Sequence, residues 1–228
     1  MIKFLFLDLD DTILDFHKAE KIALSKTLRE FGLEPSDEVC SLYSQINRQH
    51  WERLERKELT REQVVTGRFT ELFRHYGMTV DAPACADTYA EYLGIGHYFL
   101  PGAREAVESL SKKYRLFLAS NGTVSVQSGR LKSADICHLF EDVFFSQAMG
   151  ADKPDIRFFQ NAFARIPDFD PKACMIVGDS LTSDIQGGIN AGLKTCWVNL
   201  RGYAPRADIV PDYTIGSLSE LEALLETL

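Results

Sequence analysis

IKFLFLDLDDT, residues 2–12, sets a short apolar run directly against a cluster of carboxylates. Residues 2–8 are nearly continuously apolar, as a strand buried on both faces is. The run ends in Asp8-Leu9-Asp10-Asp11-Thr12. Side chains alternate along an extended chain, so Asp8 and Asp10 are expected on the same side. Two carboxylates that close repel each other, and a divalent cation is the usual reason for tolerating them. An acidic turn capping the next helix would read the same way in isolation.

Similar apolar runs recur at 115–120 (RLFLAS), 143–147 (VFFSQ), 174–179 (CMIVGD) and 195–199 (TCWVN). Between them lie helical stretches, roughly 103–113, 124–134, 155–166 and 183–191. A final helix is expected at 217–226, opened by a capping box from Ser217 to Glu220. Alternating strands and helices predict an α/β fold with a Rossmann-like, mostly parallel sheet and right-handed crossovers. In such sheets ligands bind beyond the carboxyl ends of the strands.

Residues 16–97 interrupt this alternation and predict an inserted, all-helical unit of four helices. The first covers 17–32, with Leu24, Leu28 and Phe31 on one face. The second starts near Ser36 and carries Val39, Leu42, Tyr43 and Ile46. The third opens with a Thr60…Gln63 capping box and presents Val65, Phe69, Leu72 and Tyr76; the fourth covers 83–93. The α/β core is then residues 1–15 and 98–228, with hinges near 15–18 and 94–102.

The chain has 228 residues, 45% hydrophobic and 25% charged, an ordinary globular balance. Its formal net charge is −8 and it has no basic run, which argues against nucleic acid polymers and anionic membranes as partners. Cys40, Cys85, Cys137, Cys174 and Cys196 are scattered and odd in number, neither a disulfide framework nor a zinc site. Without a targeting segment or a membrane-length apolar run, a cytoplasmic location is expected.

Other polar groups gather at the predicted strand ends. Ser120-Asn121-Gly122 brings a hydroxyl, an amide and backbone N–H groups that can cradle phosphate oxygens, or simply caps the next helix. Lys153 precedes Pro154, which suits a first helical turn and holds Lys153 in the loop, where an ammonium can neutralise a bound phosphate. Gly178-Asp179-Ser180 offers a further carboxylate, and Asp184 is placed to hold the metal shell or Lys153. Gly187 and Gly188 read as packing glycines and Gly192 as a helix end. An acidic pair, then Ser/Asn, then Lys, then Gly-Asp with a trailing Asp is hard to assemble by chance.

These four motifs resemble those of the haloacid dehalogenase superfamily, specifically its phosphatases with a helical cap inserted after the first strand. GRF at 67–69, SNG at 120–122, VQSGRL at 126–131 and GDSLTSDIQGGINAGLKTCWVN at 178–199 are similar to a bacterial subgroup, the noncanonical pyrimidine nucleotidases. Asp11 departs from the glycine common in the superfamily. The resemblance implies that Asp8 attacks phosphorus and Asp10 serves as general acid and then base. It implies Mg²⁺ held by the Asp8 and Asp179 carboxylates and the Asp10 carbonyl, with charge received by Ser120, Asn121 and Lys153. Thr12 would steady the nucleophile loop. The implied substrate is a small phosphate monoester, a nucleoside 5′-monophosphate; oligomeric state is left open.

Within the insert, Arg68 interrupts a helix face and is either a substrate contact or a solvated surface charge. His17, beside the first hinge, is the histidine most apt to face a cleft. Rival readings are a sugar-phosphate or phosphoglycolate phosphatase, a haloacid dehalogenase proper and an inactive binding module. Halide leaves without protonation, so an acid at Asp10 favours an oxygen leaving group.

Overall fold

In the computed structural model, which describes residues 1–228, the first apolar run forms β1 (Phe4–Leu7). It lies inside a six-stranded sheet with β2 (Arg115–Ser120), β3 (Asp142–Phe145), β4 (Cys174–Gly178), β5 (Lys194–Val198) and β6 (Tyr213–Ile215), in the order β3-β2-β1-β4-β5-β6. Every pairing is parallel. The chain divides into two compact units, Met1–Phe16 with His97–Leu228, and His17–Gly96.

The first unit holds the sheet and the helices α5 (Ala103–Leu110), α6 (Val124–Ala134), α7 (Ser146–Met149), α8 (Ile156–Phe163), α9 (Gln186–Asn190) and α10 (Leu221–Leu225); α1 (Phe16–Glu30) to α4 (Ala82–Gly94) precede them in the chain. Strand alternation explains its two cores. Leu5, Leu7, Leu116, Leu118, Met175 and Val177 pack on one face with Val107 and Leu110 of α5 and Leu221 of α10. Phe4, Phe6, Phe117, Ala119, Cys174 and Ile176 pack on the other with Phe158, Phe159 and Ala162 of α8. There Phe6 stacks on Phe117 at 5.4 Å and on Phe144 at 5.7 Å between ring centroids. Burying a side chain of this size contributes roughly 1.5–3 kcal/mol, and the ladder ties three strands together. Gly188 lets α9 reach the sheet, since a Cβ there would lie 2.4 Å from Ile176.

Two expectations are corrected here, and one strand is added. The third strand stops at Phe145, and Ser146 and Gln147 open α7 instead. Residues 217–226 form a 3₁₀ turn, Leu218–Glu220, and then the single turn of α10. Ser217 makes no cap bond to the helix; its hydroxyl meets Glu220 Oε1 at 3.2 Å, while Glu220 Oε2 accepts from the Gly216 N–H. Strand β6 was not foreseen: three residues after a polar loop carry no readable period.

The second unit is built of α1, α2 (Asp37–Glu55), α3 (Arg61–His75) and α4. Ser36 accepts from the Val39 N–H, and Thr60 and Gln63 make both bonds of a capping box. Tyr43, Phe69 and Tyr89 form a buried aromatic triad with centroids 5.2–5.7 Å apart. On α3 the buried stripe is Val64, Arg68, Phe69, Leu72 and Phe73, whereas Val65 and Tyr76 are only half-buried. The expected face is therefore shifted, and Arg68 lies on the buried side.

Candidate active site

Register brings the motifs together. Leu7 pairs with Leu118 of β2 and Val177 of β4, so Asp8, Ala119–Ser120 and Gly178–Asp179 follow on adjacent strands at one edge of the sheet. The Asp8 N–H still donates to the Val177 carbonyl at 2.9 Å, which fixes the carboxylate at the strand end. Asp11 then adopts φ +53°, a left-handed conformation suited to glycine and tolerated by aspartate. Its carboxylate accepts from the Phe16 N–H at 3.2 Å and faces Arg201 at 3.4 Å. Thr12 is fully buried next to it, and its hydroxyl makes no hydrogen bond, so any steadying it gives the loop comes from packing.

Lys153 is buried at the centre of the cluster. Its ammonium donates to Asp8 Oδ1 at 2.8 Å, to Asp184 Oδ1 at 2.5 Å and to the Ala119 carbonyl at 2.5 Å. Burial alone would lower its pKa, but Asp184 and Asp8 outweigh that and hold the lysine charged. One ammonium does not balance the carboxylates around it. Burial pushes the Asp8 carboxyl up to about 7, with Asp184 and Asp10 adding to the rise and Lys153 opposing it. Burial also raises Asp179 well above the carboxylate range, helped by Asp184 and Asp8.

The remaining residues divide into those that face Lys153 and those that face Asp10. Asn121 directs its side chain to Lys153: its Nδ2 donates to the Lys153 carbonyl and to Ser183 Oγ, and its Oδ1 accepts from the Lys153 N–H. It thus braces the loop that carries the ammonium. Asp184 spans Lys153 and the Ser180 N–H, and a Cβ at Gly178 would lie 2.2 Å from it. The Trp197 indole donates to the Asp179 carbonyl at 2.7 Å. Asp10 turns its carboxylate to Gln127 and Arg130 of α6, neither of which was assigned a role from the sequence, and Ser120 Oγ meets the same Gln127.

Arg68 and His17 lie in the second unit. Arg68 is not a solvated surface charge: it is buried, donates to Asn47 Oδ1 at 2.8 Å and to the Val65 carbonyl, and stands 4.8 Å from the centroid of Tyr89. Asn47 passes the network on to the buried Glu20, which also accepts from Ser44. Substitution at Arg68 therefore reports first on the interior of this unit. His17 is exposed in the first turn of α1.

Oxygens of Asp8, Asp179 and Asp184 lie within 4.8 Å of one another, all of them hard donors. This set suits Mg²⁺ or Ca²⁺ better than a softer metal. Burial is the main cause of the raised Asp8 and Asp179 carboxyls, and the neighbouring carboxylates add to it. These three carboxylates could hold such an ion; both oxygens of Asp184, and one of Asp8, also accept hydrogen bonds. The Asp10 carboxylate stands outside this set.

Without metal, the folded Asp8 keeps its proton above the unfolded value, so the stability it contributes is present below 3.8 and lost as pH rises towards about 7. Metal binding to the folded state opposes that loss. The rise in Tm from Mg²⁺ over EDTA should be larger at about pH 8 than at about pH 5; an equal rise at both would contradict binding by these carboxylates.

The chain is 36% identical over 220 residues to pyrimidine 5′-nucleotidase PynA of Streptococcus pneumoniae (strain ATCC BAA-255 / R6), covering 96% of this chain and 93% of that protein. It is 27% identical over 221 residues to pyrimidine 5′-nucleotidase YjjG of Escherichia coli (strain K12), covering 97% and 96%. The crystal structure of the HAD-hydrolase YfnB from Bacillus subtilis, bound to magnesium, is similar with a TM-score of 0.94 and 35% identity over 98% of both chains. Residues 5–198 match the model of the haloacid dehalogenase-like hydrolases. The chain belongs to the haloacid dehalogenase-like hydrolase family.

Proposed function

We propose that this chain is a Mg²⁺-dependent phosphomonoester hydrolase acting through an aspartyl-phosphate on Asp8, with 5′-monophosphates of (deoxy)pyrimidine nucleosides as substrates. Residues 16–97 are proposed as the cap that selects the nucleoside. The observation that carries the reading is Asp8 itself, a carboxylate at the end of an inner strand with one oxygen on a buried ammonium. Its other oxygen is left to attack.

In the first step an Asp8 oxygen forms a bond to phosphorus while the bond from phosphorus to the leaving oxygen breaks, and Asp10 gives that oxygen a proton. In the second, water attacks phosphorus, Asp10 takes its proton, and the bond to Asp8 breaks. Lys153 and the Ser120 hydroxyl receive the charge on the phosphoryl oxygens. When bound, Mg²⁺ supplies charge compensation between the nucleophile and the anionic ester.

The nucleotide preference rests on the two relatives named pyrimidine 5′-nucleotidases. A panel ranked by kcat/KM tests it: dUMP and dTMP should lead purine nucleotides, hexose phosphates and phosphoglycolate. EDTA should abolish turnover, Mg²⁺ restore it and Ca²⁺ support it poorly, because calcium prefers more ligands at longer distances. A panel led by phosphoglycolate or a hexose phosphate would overturn the nucleotidase reading and leave the phosphatase.

A further inference from the structure

Gln127 and Arg130 stand one turn apart on α6 and share its buried stripe with Leu131 and Ala134. Burying a guanidinium is costly unless it is paired. Here Arg130 pairs with Asp10 Oδ1, and its Nη1 also donates to Gln127 Oε1 at 3.1 Å. Gln127 Nε2 donates to Asp10 Oδ2 at 2.6 Å and to Ser120 Oγ at 2.8 Å. Both oxygens of Asp10 are thus held from a single helical turn. Gly122 makes room for this, since a Cβ there would lie 2.5 Å from the Gln127 side chain.

The chemistry fixes the direction of every bond in this network. Arginine only donates and a carboxylate only accepts, so Gln127 must turn its oxygen to Arg130 and its NH₂ to Asp10. The second amide proton then goes to Ser120 Oγ. That oxygen also accepts from the Gly122 N–H at 3.2 Å, so both its lone pairs are engaged. The hydroxyl proton is left for an acceptor outside the network, as a phosphate oxygen is.

We infer that Gln127 and Arg130 are positioning residues, which clamp the Asp10 carboxylate and orient the Ser120 O–H towards the phosphate through one buried network. The inference rests on the proposed role of Asp10 as general acid. It predicts a loss that depends on the leaving group, because p-nitrophenolate departs with little protonation and a nucleoside alkoxide does not.

The test is kcat on dUMP and on p-nitrophenyl phosphate, with inhibition by inorganic phosphate, for Gln127→Leu beside Asp10→Asn and Ser120→Ala. Gln127→Leu should lose at least about tenfold more kcat on dUMP than on the nitrophenyl ester and bind phosphate several-fold more weakly, on the order of the loss in Ser120→Ala. Arg130→Lys, which keeps a cation, should recover part of the discrimination lost in Arg130→Met. Should Gln127→Leu fail to fold, Gln127→Glu is expected to give the same ratio, because its oxygens repel Asp10 instead of donating to it. Equal losses on both esters in a folded variant would overturn the inference. If Asp10→Asn discriminates between the esters and the Gln127 variants do not, this inference alone fails. If Asp10→Asn does not discriminate either, the general-acid reading falls with it.

Discussion

Asp8→Asn is expected to keep the fold and lose turnover by at least about 10⁴-fold. The amide has the shape of the carboxylate and can still present an oxygen to Lys153, but it does not attack phosphorus. It also removes one charge from a cluster in which burial and neighbouring carboxylates already hold Asp8 up at about 7. The metal-free variant should therefore melt no lower than the wild type, while the rise in Tm from Mg²⁺ shrinks. Thermal unfolding and steady-state kinetics on the same preparation separate loss of chemistry from loss of fold. Near-normal turnover would remove Asp8 from the mechanism.

Lys153→Met is expected to cost both activity and stability. The lysine is 1% exposed and donates to Asp8, Asp184 and the Ala119 carbonyl, so its removal strands two buried carboxylates and a carbonyl. Breaking a buried pair on one side typically destabilises by about 3–5 kcal/mol, and the loss should be greatest in EDTA, where no cation takes the place of the ammonium. Turnover should fall by roughly 10²–10³-fold, the usual cost of deleting a group that receives developing charge. Denaturant unfolding with and without Mg²⁺ checks the first part. A variant as stable as the wild type in EDTA would contradict the assigned charge balance.

What was legible in the sequence follows from how parallel sheets bury themselves. Strands covered on both faces read as apolar runs, and the polar residues that follow them are conspicuous, so Asp8, Ser120 and Asp179 stand out at the strand ends, whereas Lys153 lies beyond α7 and is marked by the proline after it. Strand β6 was missed because three residues at the sheet margin need no such run. Gln127, Arg130 and Arg68 were harder to read for a different reason. Each occupies the buried stripe of an otherwise ordinary helix, at positions where an apolar residue is expected. That substitution is itself a signal: a polar residue in phase with Leu131 and Ala134, or with Val64 and Leu72, has a buried partner elsewhere in the chain. For Arg130 the partner is Asp10, more than a hundred residues away, and no local pattern points to it. The side-chain direction of Asn121 was equally hidden, since it depends on a loop closing from Lys153.

The covalent phosphoenzyme proposed on Asp8 is open to direct trapping. Acyl phosphates are reduced by borohydride, so enzyme quenched during turnover of dUMP with Mg²⁺ should carry homoserine in place of aspartate at residue 8, found by peptide mass spectrometry. The same treatment of enzyme held in EDTA should leave Asp8 unchanged. Homoserine at another aspartate, or none at residue 8 in enzyme quenched during turnover, would remove Asp8 as the nucleophile.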